Sequence, residues 1–91
     1  MKISHAIAAT GALLFAGTVF AGPQCTDAPK SQWMSQDAMK QQLKADGYTV
    51  DRFKVTDGNC YEIYGEEADG VKVEIYHNPV DGEVVKQRRN D

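Results

Sequence analysis

Apolar and polar positions change rhythm several times along this chain. From Ala6 to Phe20 nearly every residue is apolar or small. Gly22 to Gln32 shows no period and holds two prolines, Pro23 and Pro29, which predicts an irregular arm. A helical rhythm follows. Ala38, Met39, Gln42 and Leu43 share one side, while Lys40, Gln41 and Lys44 lie on others. Ser35 is placed to cap this helix and Asp37 to favour its positive end. Met34 is placed to staple against Met39. Gly47 supplies a left-handed stop, with Tyr48 folding back toward Leu43. A helix of about 11 residues does not persist alone in water, so it needs a surface to lie on.

The rhythm then shortens to a period of two. In Tyr48 to Thr56 the apolar phase changes between Tyr48/Val50 and Phe53/Val55, which predicts a bulge near Asp51-Arg52. Asp57-Gly58-Asn59 reads as a turn. Cys60 to Tyr64 is rich in strand formers, and Gly65 to Gly70 reads as a second turn. Val71 to His77 alternates cleanly. Val71, Val73 and Ile75 fall on one face, and Lys72, Glu74 and Tyr76 fall on the other. Asn78 to Gly82 is a third turn, and Glu83 to Gln87 a short last strand. The expected fold is α+β: one helix packed on a three- to four-stranded antiparallel meander.

The opening run changes where this domain is expected to work. Lys2, the apolar stretch and Val19-Phe20-Ala21 have the layout of a secretory leader cleaved after Ala21. The run falls short of the roughly 18–20 residues that cross a bilayer, so no stable membrane anchor is expected. A lipid anchor wants a cysteine directly after the cleavage site, and Gly22, Pro23 and Gln24 precede Cys25. The expected organisation is a signal peptide at 1–21, an arm at 22–32 and a domain at 33–91, periplasmic or secreted.

Gly22 to Asp91 is 70 residues, a single small domain with a marginal core. Cys25 and Cys60 are the only cysteines, so in an oxidising compartment their pairing is unique. A redox pair wants C-x-x-C spacing, and a zinc site wants ligands beyond the single remaining histidine, His77. Nine basic and thirteen acidic residues leave the processed chain at −4. That acidic balance argues against nucleic acid and anionic lipid as partners. Lys86-Gln87-Arg88-Arg89 reads as a solvated C-terminus.

Some of these residues also carry a family likeness. Gly47-Tyr48, then Gly58-Asn59-Cys60-Tyr61-Glu62-Ile63-Tyr64-Gly65, resemble the PepSY domain in order and spacing. So do Asp69 to Tyr76 and the closing Asn78-Pro79-Val80-Asp81-Gly82-Glu83-Val84-Val85. The likeness covers about Trp33 to Lys86. It is nearest to short secreted bacterial members made of a leader and one domain. It implies one helix on an antiparallel sheet, an extracytoplasmic setting and a peptidase-regulating or peptidase-inhibiting role. It brings no catalytic residues and no cofactor. The last turn holds Asp81-Gly82 where the family often has Thr-Gly, and the cysteine pair is not a general family feature. With no peptidase attached, inhibition is expected to act in trans.

The candidate binding surface is Tyr64 and Tyr76 with Glu62 and Glu74, which share the parity opposite Val73 and Ile75. Aromatics among charges anchor interfaces. The same residues also suit a cross-strand pair that stiffens the sheet, or a bed for the arm tethered through Cys60. His77 reads as a solvated strand-end residue and Trp33 as a plug of the helix–sheet core. Glu66, Glu67 and Asp69 read as a solvated hairpin tip, since their spacing does not match a calcium loop. Ser31 and Ser35 lie in a loop and a helix cap with no base nearby in sequence, so no catalytic set and no metal site are expected. The expected function is non-enzymatic binding of a protein, with a secreted or envelope peptidase as candidate partner. The rival is an envelope sensory module for a small ligand or metal, which a cleft lined by Met39, Tyr48 and Tyr61 would favour.

Overall fold

Ser35 caps the helix as its position predicts. In the computed structural model, which describes residues 22–90, its side-chain oxygen accepts from the Ala38 amide at 3.0 Å. The leader read at 1–21 lies outside the described residues. The helix, α1, spans Gln36–Ala45. It ends at Gly47, with φ +95°, where the Tyr48 amide donates to the Leu43 carbonyl at 3.0 Å. Its buried stripe is narrower than the periodicity predicts. Met39 and Leu43 are buried, whereas Ala38 and Gln42 are exposed.

Four strands follow: β1 (Thr49–Val55), β2 (Tyr61–Glu66), β3 (Lys72–His77) and β4 (Val84–Asn90). They pair antiparallel in chain order, β1-β2-β3-β4. This is the α+β meander expected, with four strands. The register of β1 slips between Val50 and Arg52, so Asp51 is the bulge that the phase change predicts.

Two strands run further than expected. β2 continues through Gly65 and Glu66, which the sequence reading placed in a turn. Gly65 lies between Val50 and Val73, and a Cβ there would sit 2.0 Å from the Thr49 carbonyl oxygen. The glycine makes room for the bulged strand rather than turning the chain. β4 continues to Asn90, so the basic tail is sheet and not a loose end. Pairing with β3 and ion pairs hold it there, with Arg88 on Glu74 and Arg89 on Glu67, each at 2.8 Å.

The core lies between α1 and the inner sheet face: Met39, Leu43, Tyr61, Ile63, Val73 and Ile75. Trp33 plugs one end, as expected. Its ring meets Tyr61 edge-on at 5.7 Å, and its indole N–H donates to the Ala28 carbonyl at 3.0 Å. Tyr61 in turn donates its hydroxyl to the Met34 carbonyl at 2.7 Å. Met39 and Tyr61 are both buried in this core.

Candidate functional site

The sheet face turned away from α1 is polar because the even-numbered residues of β2 and β3, with Lys86 and Arg88 of β4, point there. Cross-strand register sets them in two rows. One row runs Arg52, Tyr64, Glu74, Arg88, and the other runs Lys54, Glu62, Tyr76, Lys86. Tyrosine and carboxylate thus alternate in a central square, with a cationic column on each side. The structure brings all four sequence-predicted residues, Glu62, Tyr64, Glu74 and Tyr76, into that square.

Contacts within the square are close. The Tyr76 hydroxyl donates to Glu74 Oε2 at 3.0 Å, and Arg88 grips Glu74 Oε1 through Nε and Nη2 at 3.0 and 2.8 Å. The Arg52 guanidinium stands 5.1 Å from the centre of the Tyr64 ring. Lys54 reaches Glu62 only at 4.0 Å. The Glu62 and Glu74 carboxyl groups are neighbours that border one hollow. Burial, then the bond to Glu74, pushes the Glu62 carboxyl above its usual range. The bond from Glu62, with Arg88 and the two tyrosines, holds Glu74 down to about 2. Bonds to Glu62 and then Glu74 push the Tyr64 hydroxyl up to about 12.

This face is less open than its parity suggests. Tyr76 and Glu62 are buried, at 6% and 3% exposure, while Tyr64 and Glu74 are half-buried. The N-terminal arm reaches this face, with Gly22 packed against the Tyr76 ring. A bridge between Cys25 and Cys60 tethers the arm. The Cys25 amide also donates to Gly58, and Asn59 and Asn78 side chains donate to the Thr26 and Cys25 carbonyls. Of the three readings of this face, its use as a bed for the arm describes the Tyr76 end. The arm is irregular apart from one short turn of 3-10 helix at Lys30–Gln32.

His77 corrects the sequence reading. It is not solvated: it is 3% exposed, and its Nδ1 lies 3.0 Å from the Gly82 carbonyl oxygen. Strand parity carried the signal, since 73, 75 and 77 share the inward phase. A carbonyl only accepts, so Nδ1 bears the proton and Nε2 is left as a buried acceptor with no partner among the described residues. Burial holds the imidazole below its usual range. The unfolded chain therefore takes up a proton first as pH falls. The stability due to a neutral His77 is complete above about pH 6.5 and is lost below it, toward the lowered folded value. The urea midpoint of the wild type is expected to fall between pH 7 and pH 5.5, and that of His77→Gln to fall much less. Parallel curves for the two proteins would contradict this.

Among the described residues no three or more His, Cys, Asp or Glu side chains are grouped to hold a metal. Nor is any described helix long and apolar enough to cross a membrane. Glu66 and Glu67, expected at a solvated tip, are ion-paired to Lys72 and Arg89 at 2.8 Å. The arrangement offers two features to a partner. One is an open hollow of about 600 Å³ beside the square, with Asp51, Lys72 and Arg88 among its lining residues. The other is the outer edge of β4. The family described as peptidase propeptide and YPEB domain matches residues 5–88. No curated protein and no solved structure matches the chain.

Proposed function

The chain belongs to the PepSY family, the peptidase propeptide and YPEB domains, and from that membership we propose that it is an exported, non-enzymatic domain that binds a protein. A secreted or envelope peptidase is the partner class that the family description favours. Export and removal of residues 1–21 are part of this reading, which the leader pattern supports.

The observation that carries it is the state of β4. All seven residues, Val84–Asn90, are exposed. The strand pairs with β3 on one side, and among the described residues no strand covers the other. An uncovered edge presents a row of N–H and C=O groups to an extended segment of another chain. Val84 and Val85, 54% and 43% exposed, add apolar contact at its start. The opposite edge, β1, is interrupted by its bulge and lies beside α1.

A photo-crosslinker placed at Gln87 on β4, and at Gln41 on the exposed side of α1 as control, tests this in the cell envelope. Crosslinking to one protein from Gln87 and not from Gln41 is expected. The captured protein is then assayed for peptidase activity with and without the domain. No crosslink from Gln87, together with no inhibition of metallo- or serine peptidases, would contradict the reading.

A further inference from the structure

Of the two carboxyl groups on the outer face, Glu74 is paired with Arg88, and Glu62 has no cation close to it among the described residues. Glu62 is 3% exposed, and its nearest cation, the half-exposed Lys54, stands at 4.0 Å. Arg88 is committed to Glu74. Lys86 borders the hollow too, opposite Tyr76 on β4 rather than beside Glu62, and Tyr64 and Tyr76 are neutral donors. Gly22 borders the same hollow as these groups, in which Lys54, Glu62, Tyr64, Glu74, Tyr76, Lys86 and Arg88 meet.

Gly22 is also fixed there. A Cβ built on it would stand 2.7 Å from Tyr76 Cε2 and 3.0 Å from the Tyr76 hydroxyl oxygen. The Gly22 nitrogen is two bonds from that Cβ position, so it lies within about 5.5 Å of the Tyr76 oxygen. That oxygen is itself 3.0 Å from Glu74 Oε2.

We propose that the α-ammonium of Gly22, created when the leader is removed, is the close counter-charge that Glu62 lacks beside Glu74, so that processing completes the outer face. The inference rests on the export reading above. A leader peptidase adds water across the Ala21–Gly22 peptide bond. Ala21 leaves as a carboxylate, and the Gly22 nitrogen, a neutral amide in the precursor, becomes a primary amine that takes up a proton at neutral pH. A group that was at best a dipole becomes a full positive charge beside two carboxyl groups. The arm, already tethered by Cys25, gains a charged clamp at its very end. A side chain at this place would have to displace the Tyr76 ring.

The test uses the exported, processed protein, with its amines dimethylated by ¹³C-labelled formaldehyde and titrated by NMR. The Gly22 amine is expected to titrate at least about one unit above the ordinary range of about 7.7–8.0. Lys54, Lys86 and Arg88 oppose that shift, but Arg88 is already paired with Glu74 and Lys54 reaches Glu62 only at 4.0 Å, so the raised value depends on the amine standing nearer Glu62 than they do. Glu62→Gln is expected to return the value toward the ordinary range. Should that variant fail to fold, Glu74→Gln serves the same purpose. An ordinary value in the wild type, or a raised value that neither variant moves, overturns the inference. N-terminal sequencing of the same sample separates the readings. A start elsewhere than Gly22 overturns this clamp, while partner binding is judged by the crosslinks from β4.

Discussion

Reducing the Cys25–Cys60 bridge is expected to lower the stability of the domain by about 4 kcal/mol, from the loop-closure entropy of the 36 residues it encloses. The described fold has few other means of closing that loop. Its core rests on six buried side chains between one ten-residue helix and one sheet face. A domain of this size is stable by roughly 4–10 kcal/mol, so the bridge accounts for a large part of the total. Its loss acts first on the arm, which then keeps the hydrogen bonds at Gly58, Asn59 and Asn78, the Trp33 bond to Ala28 and the packing of Gly22 on Tyr76. Urea unfolding with and without reductant measures the effect, and a Cys25→Ser/Cys60→Ser variant should match the reduced protein. A loss below about 1 kcal/mol would mean that the loop is closed by other contacts.

Replacing Gly65 with alanine is expected to cost about 3 kcal/mol or more, which is large for the addition of one methyl group. The new Cβ would meet the Thr49 carbonyl oxygen at 2.0 Å and Val50 Cα at 3.2 Å. Both are backbone atoms, so no side-chain rotation relieves the clash, and β1 must move away from the central strand. Gly70→Ala is the control. Gly70 has φ +90° but nothing within 4 Å of its Cβ position, so only a conformational cost of about 1–2 kcal/mol is expected. Thermal unfolding of the two variants should place Gly65→Ala well below Gly70→Ala. Equal losses would show that the bulge tolerates a side chain at Gly65.

Much of this fold is legible in the sequence where local chemistry decides. The Ser35 cap, the Gly47 stop, the bulge at Asp51, the cysteine pairing and the polar parity of Glu62, Tyr64, Glu74 and Tyr76 all follow from residue type and spacing. What escaped depends on long-range contact. Gly65 looks like a turn residue until its neighbours on both sides are known. Lys86 to Arg89 look like a solvated tail because the carboxylates that anchor them, Glu74 and Glu67, are distant in sequence. His77 was within reach, since the alternation that buries Val73 and Ile75 also turns it inward. Its polarity masked the signal, and only the Gly82 carbonyl shows how one ring nitrogen is satisfied. The site was half legible. Parity groups its four residues, but only the tertiary fold lays Gly22 beside Tyr76.

The account turns on a chain trimmed to Gly22 and stapled to its own sheet. Intact mass of the native protein, recovered from its cell envelope without reductant, tests that most directly. It should equal residues 22–91 less the two thiol hydrogens. A mass that retains the first 21 residues, or one that gains alkyl groups at Cys25 and Cys60 without prior reduction, would contradict it.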